Sequence, residues 1–280
     1  MYPTIALLTD FGISDIYVGV MKAVMRTICP TAQVIDITHS IQPQNVAQGA
    51  FALYNAYQFF PTGTIFLVVV DPGVGSQRRA IVAQYDGYTF VAPDNGVLSY
   101  ILNNSRQELV ELTNSAYSLK KTSATFHGRD IFAPAAAHLA AGIPLLELGA
   151  PLDDIIRLPS PRIEIHGSHV TGEALHIDHF GNIVTSIGTL TWEDEKNLLL
   201  NPAFYIHRDP IQISASFANV TVATQVMNGV KLSYSDTTIG EALTLIGSHG
   251  FLEIAINQGD AARKFSISIG DPVELRLGAD

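Results

Sequence analysis

The sequence is poor in cysteine, in charge and in long apolar runs, and each shortage closes off a class of protein. A single cysteine, Cys29, among 280 residues excludes an intrachain disulfide. It stands beside Pro30 at an expected helix end, where it reads as a buried side chain rather than a nucleophile. Charged residues make up only 15% of the chain, with 16 Lys and Arg against 26 Asp and Glu, a formal charge of −10. Neutralising phosphates requires clustered basic side chains; nothing larger than pairs such as Arg78-Arg79 and Lys120-Lys121 occurs, so no nucleic-acid partner is expected. The longest apolar runs, such as Ile65 to Val70, fall far short of the roughly 20 residues of a membrane span and read as buried strands. The opening residues carry no basic n-region, and a cytoplasmic protein without membrane contact is expected.

Several catalytic templates are missing as well. There is no Gly-x-Ser-x-Gly elbow and no His-Glu-x-x-His, and Asp10-Phe11-Gly12 lacks the companions of a kinase. The loop from Gly73 through Gly75 to Arg78 has no third glycine and no Lys-Ser/Thr ending, so it is neither a dinucleotide fingerprint nor a P-loop.

What is present is a substantial apolar fraction, 47%, enough for a large core. The first part alternates β-rich runs (Thr4 to Leu8, Val34 to Ile37, Thr64 to Val70) with helical patterns from Asp15 to Ile28 and Val46 to Gln58. Behind Asn45 as N-cap, Val46, Ala50, Leu53 and Tyr57 share one face that can cover a parallel sheet. Strands follow from Ala80 to Tyr85 and Tyr88 to Val91, then helices from Gly96 to Leu102 and from Arg129 to Ala141, closed by Gly142. The expected fold is α/β, with an N-terminal α/β sandwich around a mostly parallel sheet over residues 1–160. A smaller, mostly β unit is expected over 161–280, where alternating segments such as Ile211 to Phe217 and Pro272 to Leu277 leave few helical patterns.

Ligands of open α/β sheets collect beyond the carboxyl ends of the strands, and two strands here end in aspartate: Leu8-Thr9-Asp10-Phe11-Gly12 and Val70-Asp71-Pro72-Gly73. Asp71 and Arg78 bring opposite charges to one tight turn, as a plain ion pair or as part of a site. In Thr125-Phe126-His127-Gly128-Arg129-Asp130, His127 falls at a helix amino end. Asn95, after Pro93, reads as a structural cap. In the second unit, strand alternation sends Asp178 and His179 to opposite faces, which argues against a metal there. Phe180 can stack on a flat ring while the Asn182 amide reads its edge. Gly247-Ser248-His249-Gly250 is a second ligand loop.

Together these segments resemble the S-adenosylmethionine hydroxide adenosyltransferase family, relatives of fluorinating and chlorinating enzymes. The carriers are Leu8 to Gly12 with Asp15 and Tyr17-Val18-Gly19, Asp36 to His39, Val70 to Gly75 with Arg78, Ala92 to Leu98, Thr125 to Asp130, Asp178 to Asn182, and Gly247-Ser248. The resemblance implies an α/β domain followed by a β-barrel-like domain, in a homotrimer with intersubunit sites. It implies hydrolysis of S-adenosyl-L-methionine to adenosine and L-methionine, without metal or cofactor, by water held at Asp71, Arg78 and His127. Halogenating relatives lack the Asp and His of that set. The same resemblance gives the ribose to Asp10, the adenine to Phe180 and Asn182, and the methionine end to Asp15, Asp178 and Ser248, with Tyr234 a stacking partner. His249 stands where the halogenases carry an arginine on the methionine carboxylate, and Val184 where they carry a tryptophan. The competing readings are a halide-dependent adenosyltransferase and a regulatory protein that binds S-adenosylmethionine or a nucleoside with little turnover.

Overall fold

A computed structural model describes residues 2–102, 107–202, 204 and 209–277, and the chain divides into two compact units, Met1–Leu158 and Pro159–Asp280. Among the described residues, the first unit is built on a seven-stranded sheet. Its elements are β1 (Thr4–Thr9), α1 (Tyr17–Ile28), β2 (Gln33–Thr38), α2 (Val46–Ala56), β3 (Ile65–Val69), β4 (Ala80–Tyr85), β5 (Tyr88–Pro93), β6 (Glu108–Glu111), α3 (Ala133–Ala140) and β7 (Ala150–Pro151). The strand order is β2-β1-β3-β5-β4-β6-β7. The first four run parallel, and β4, β6 and β7 add an antiparallel side.

Both faces of the central strands are buried, which is why β1 and β3 read as continuous apolar runs instead of alternating. One face packs Met21 and Met25 of α1 with the alanines of α3, and the other packs Leu53 and Tyr57 with Phe66 and Phe90. Asn45 caps α2 by accepting from Gln48 N at 2.9 Å. From β1 the chain crosses to β2 on one side and later returns as β3 on the other. The carboxyl ends of β1 and β3 therefore border the point where strand order reverses, with Thr9 level with Val69. The next residues along the two strands lead into Asp10 and Asp71.

Three helical expectations change. Gly96 to Leu102 is a run of turns, with Ser99 N donating to Gly96 O and Leu102 N to Leu98 O. Its apolar residues point into the core at near-helical spacing, but the turn is pinned at Gly96, whose missing Cβ position lies 2.9 Å from Leu158 Cγ. The stretch expected as a helix from Arg129 opens instead as a π-helical turn, Gly128–Phe132, and becomes α-helical only from Ala133. Helix α2 ends at Ala56 and tightens into a 3-10 turn at Tyr57–Phe59.

Among the described residues, the second unit is a mostly antiparallel β structure of eleven strands, with Val230–Lys231 pairing Ala242–Ile246 in parallel, and one short α-helix, Ala261–Phe265. Its strand path begins with Gln225–Asn228 and ends with Val230–Lys231. These two ends are separated in sequence by Gly229 alone, so the path returns on itself and the unit is barrel-like. Gly229 makes the corner at φ 73°, donating to Ala218 O while its own carbonyl accepts from Thr244 Oγ1. A side chain at that φ costs about 1–2 kcal/mol, and a Cβ there would stand 3.2 Å from Ala215 O. Gly229→Ala is therefore expected to destabilise the protein by roughly that amount, read as a lowered denaturation midpoint in urea with an unchanged slope.

Candidate functional site

Arg78 joins three of the sequence-selected side chains into one chain of hydrogen bonds. Its Nε donates to Asp71 Oδ1 at 2.8 Å, and its Nη2 donates both to Asp71 Oδ2 and, at 2.8 Å, to His127 Nδ1. The Asp71 and Arg78 side chains are 5% and 9% exposed, and the guanidinium lies over the Phe132 ring, 5.1 Å from its centroid. Removing one member of such a buried pair costs about 3–5 kcal/mol, because the other charge stays buried without its partner.

An arginine has only donors, so His127 Nδ1 must be the unprotonated nitrogen and the neutral ring carries its proton on Nε2. Burial lowers the His127 pKa, the adjacent Arg78 charge lowers it further, and Asp71 and Asp130 oppose both effects. Protonation would place an N–H against Arg78 and a second positive charge beside it. Among the described residues, Arg78 Nη1 and His127 Nε2 make no hydrogen bond, so each leaves a donor open, the two facing different sides of the trio.

Local structure fixes this trio. Asp71 leaves β3 into a tight turn, where Val74 N donates to Asp71 O and Ser76 N to Gly73 O. Gly75, at φ 78°, brings this turn against the His127 loop: its missing Cβ position is 2.4 Å from Ala124 O, so no other residue permits the approach. The end of β3 is held by Asn95, whose Nδ2 donates to Val70 O at 2.9 Å while its Oδ1 accepts from Val97 N. Asn95 thus caps a turn rather than a helix. Asp130 anchors the loop before His127, accepting from Ser123 N at 2.7 Å and pairing with Arg129. Burial opposes its charged form, but Arg129 and Ser123 hold its pKa low. Sequence reasoning passed over Asp130, which carries no signal beyond its place beside Arg129.

Asp10 accepts from Gln44 N at 2.7 Å through Oδ2, and its Oδ1 makes no hydrogen bond among the described residues. Phe11, Tyr17 and Phe126 pack edge-on or tilted, with centroids 5.2 to 5.9 Å apart, tying the Asp10 loop to the His127 loop. Asp15 is exposed. His39, buried, donates or accepts at Thr9 Oγ1 through Nδ1, and its Nε2 lies 3.1 Å from Asp36.

In the second unit the turn after the strand His169–Ile177 gathers Asp178, Phe180 and Asn182. Asp178 and His179 lie in this turn, so strand alternation does not separate them as the sequence reading assumed. Asp178 Oδ1 accepts from Phe180 N and Asn182 N, and Oδ2 accepts from Asn182 Nδ2 at 3.0 Å. Phe180 is 72% exposed while Asn182 is buried. Gly181 is compelled here, since a Cβ would fall 2.1 Å from Asp260 Oδ1. Tyr234 OH donates to Glu253 Oε1 at 2.6 Å. Ser248, exposed, lies 3.2 Å from His249 Nδ1 through its hydroxyl. Glu253 is the functional candidate missed in sequence, although a lone carboxylate in the buried strand Phe251–Ile256 is a visible signal.

Among the described residues, no three His, Cys, Asp or Glu side chains are grouped to hold a metal ion, and no helix is long and apolar enough to cross a membrane. The chain matches the family profile of the SAM hydroxide adenosyltransferase N-terminal domain over residues 5–149 and that of its C-terminal domain over 172–274. It is 35% identical to an (R)-S-adenosyl-L-methionine hydrolase of Salinispora tropica, over 99% of this chain and 98% of that protein. A fluorinase of an Actinoplanes species is 28% identical, over 96% and 95% of the two chains. The crystal structure of an uncharacterised conserved protein from Thermotoga maritima superposes with a TM-score of 0.83 at 38% identity, covering 97% of this chain and 99% of that one.

The electrostatics of the trio set a titration. His127 is expected to titrate below its ordinary 6.5, because burial and Arg78 both disfavour the imidazolium. The folded state then resists a proton that the unfolded chain accepts, so the stability the neutral ring contributes is present above pH 6.5 and is lost as pH falls below it. Imidazole NMR titration of wild type and His127→Gln checks this, and a His127 pKa above 6.5 would contradict the arrangement. Gly75→Ala should separate the two loops and move the His127 pKa back toward that of a free histidine.

Proposed function

The chain belongs to the SAM hydroxide adenosyltransferase family, and we propose that it hydrolyses S-adenosyl-L-methionine to adenosine and L-methionine with a water held at Asp71, Arg78 and His127. It is an enzyme acting on S-adenosylmethionine, and its hydrolase relatives are closer than the fluorinases. The observation that carries the water-activating reading is the hydrogen-bonded chain from Asp71 through Arg78 to His127. The family resemblance implies that halogenating relatives lack two of its members, which favours water over halide as the nucleophile.

The substrate is a sulfonium, so C5′ already bears a leaving group that departs as a neutral thioether. Neither a general acid nor a Lewis acid is needed for departure, which supports a reaction without metal or cofactor. The demand falls on the nucleophile. The positive charge of Arg78 beside the water favours its hydroxide-like form as the proton leaves. His127 Nδ1 accepts from Arg78 Nη2 and so holds the guanidinium in place, while its Nε2–H lies on the far side of the ring from Arg78. His127 Nδ1 is taken by Arg78, so the acceptor of the water's proton is Asp71, whose two oxygens each use one lone pair on Arg78 and keep another. Base assistance of this kind contributes about 10²–10⁴ in rate, and fixing the water in line with C5′ adds to it. Asp10, through its unbonded Oδ1, takes a ribose hydroxyl, Phe180 and Asn182 take the adenine, and Asp15, Asp178 and Ser248 take the methionine end. Tyr234 flanks the base.

The two sets of residues lie in different units, and the proposal includes a homotrimer in which one subunit's first unit works with its neighbour's second. Mixing a His127→Ala chain with an Asn182→Ala chain, through unfolding and refolding, would then restore about a quarter of the wild-type sites in random heterotrimers. Activity that stays at the level of the separate variants would remove the intersubunit site.

Chromatography of S-adenosylmethionine incubated with the protein should show adenosine and methionine in equal amounts, with oxygen-18 from labelled water in the 5′-hydroxyl. Tight binding without products would favour a regulatory protein, and 5′-chloro-5′-deoxyadenosine formed in chloride would favour the halogenase reading. Asp71→Asn should lower kcat by about 10²–10⁴ with adenosine binding retained. Wild-type turnover in that variant would dismiss Asp71 as the proton acceptor.

A further inference from the structure

We propose that Glu253 is a positioning residue that sets the hydrogen-bonding polarity of the Asn182 amide through Tyr234, so that the site selects a 6-amino purine over a 6-oxo purine. The inference rests on the assignment of adenine to Asn182.

Glu253 sits in the strand Phe251–Ile256, opposite Val184 on one side and Leu245 on the other, and is 7% exposed. A carboxyl in such a place needs a partner. Its partner is the Tyr234 hydroxyl, at 2.6 Å. Burial raises the Glu253 pKa, the hydrogen bond from Tyr234 lowers it, and Asp178 raises it again. Gly247 closes over the other oxygen: a Cβ at that position would lie 2.7 Å from Glu253 Oε2, so the loop that leads into Ser248 is shaped around this carboxyl.

The consequence falls on Asn182. A hydroxyl has one proton, and Tyr234 commits it to Glu253, so the phenol oxygen has only lone pairs to offer its other neighbours. Asn182 Nδ2 lies 3.5 Å from that oxygen and 3.0 Å from Asp178 Oδ2. Both surfaces around Nδ2 are acceptors, and an amide oxygen turned toward them would meet lone pairs on each side. The amide is thereby held with Nδ2 inward and Oδ1 toward the ligand side, where Oδ1 makes no hydrogen bond among the described residues. An outward acceptor suits the exocyclic N6 amino group of adenine and opposes the O6 carbonyl of hypoxanthine. Without Glu253, the Tyr234 proton is free to turn toward Asn182 or Asp178, and one of the two acceptor surfaces that fix the amide is lost, leaving Asp178 alone. Glu253 also anchors the hydroxyl end of a ring that is 41% exposed, and so fixes the wall beside the base.

The test is the ratio of adenosine to inosine affinity by calorimetry, with KM and kcat for S-adenosylmethionine measured in parallel. Glu253→Leu removes the acceptor, Glu253→Gln keeps one, and Tyr234→Phe removes the hydroxyl while retaining the ring. Wild type should favour adenosine strongly, and Glu253→Leu and Tyr234→Phe should each narrow the ratio about tenfold and raise KM with little change in kcat. Glu253→Gln should stay within about threefold of wild type, and the Leu/Phe double variant should be no worse than either single one. A Glu253→Leu protein that loses both nucleosides equally, or keeps the wild-type ratio, overturns the proposal. If Glu253→Leu does not fold, Tyr234→Phe decides alone, and an unchanged ratio there is equally fatal. A wild-type enzyme that hydrolyses S-adenosylmethionine yet binds adenosine and inosine alike defeats this inference and leaves the hydrolase reading standing. One that neither turns over nor binds adenosine defeats both.

Discussion

The arrangement of Asp71, Arg78 and His127 depends on one shared nitrogen. Arg78 Nη2 spends one N–H on Asp71 and the other on His127, and this single allocation fixes the tautomer of the imidazole, the lone pairs left on the carboxylate and the donor left on Nη1. A lysine would supply charge but not this division, because its ammonium is a point charge without the planar fork that holds two partners at set angles. The trio is therefore one object with respect to protonation. Adding a proton to His127 breaks its contact with Arg78 and alters what Asp71 faces, so the three groups act or fail together.

Such a trio is costly to hold in place, and the rest of the first unit is arranged to do so. The crossing of strand order between β1 and β3 places Asp10 and Asp71 on neighbouring strand ends. Gly75 removes the one side chain that would keep the Asp71 turn away from the His127 loop. Asn95 and Asp130 hold the backbone on the two sides, one at Val70 and one at Ser123. The π-helical turn at Gly128–Phe132 follows the same logic, since one widened turn carries both Asp130, which holds Ser123, and Phe132, whose ring lies against the Arg78 guanidinium.

Much of the architecture was legible because it rests on local rules. Continuous apolar runs announced buried parallel strands, Asn45 announced a cap, and the mostly β character of the second unit followed from its alternation. The segment from Gly96 to Leu102 misled because helical spacing of apolar residues also describes a series of turns over a core, and only the contact of Gly96 with Leu158 distinguishes them. In the site, Asp71 and Arg78 were readable as opposite charges on one tight turn. Their link to His127 spans 49 residues and depends on the approach of two loops, which no local pattern encodes. Asn95 was read as a structural cap and is one, but its second bond, to Val70, exists only in the folded sheet.

Glu253 shows a different limit. Its signal was in the sequence, as a carboxylate among five apolar neighbours in Phe251–Ile256, yet a lone acidic residue says nothing about what it serves. The structure supplies the missing term by pairing it with a tyrosine whose other neighbour is the Asn182 amide. The two units then work by a common device. In the first, an arginine that can only donate dictates which histidine nitrogen is bare. In the second, a carboxylate that accepts the phenol's one proton dictates which end of an amide turns outward. In each case a group of fixed polarity removes the ambiguity of a group that could serve either way, so the donor and acceptor roles of both sets of side chains are assigned before a ligand arrives.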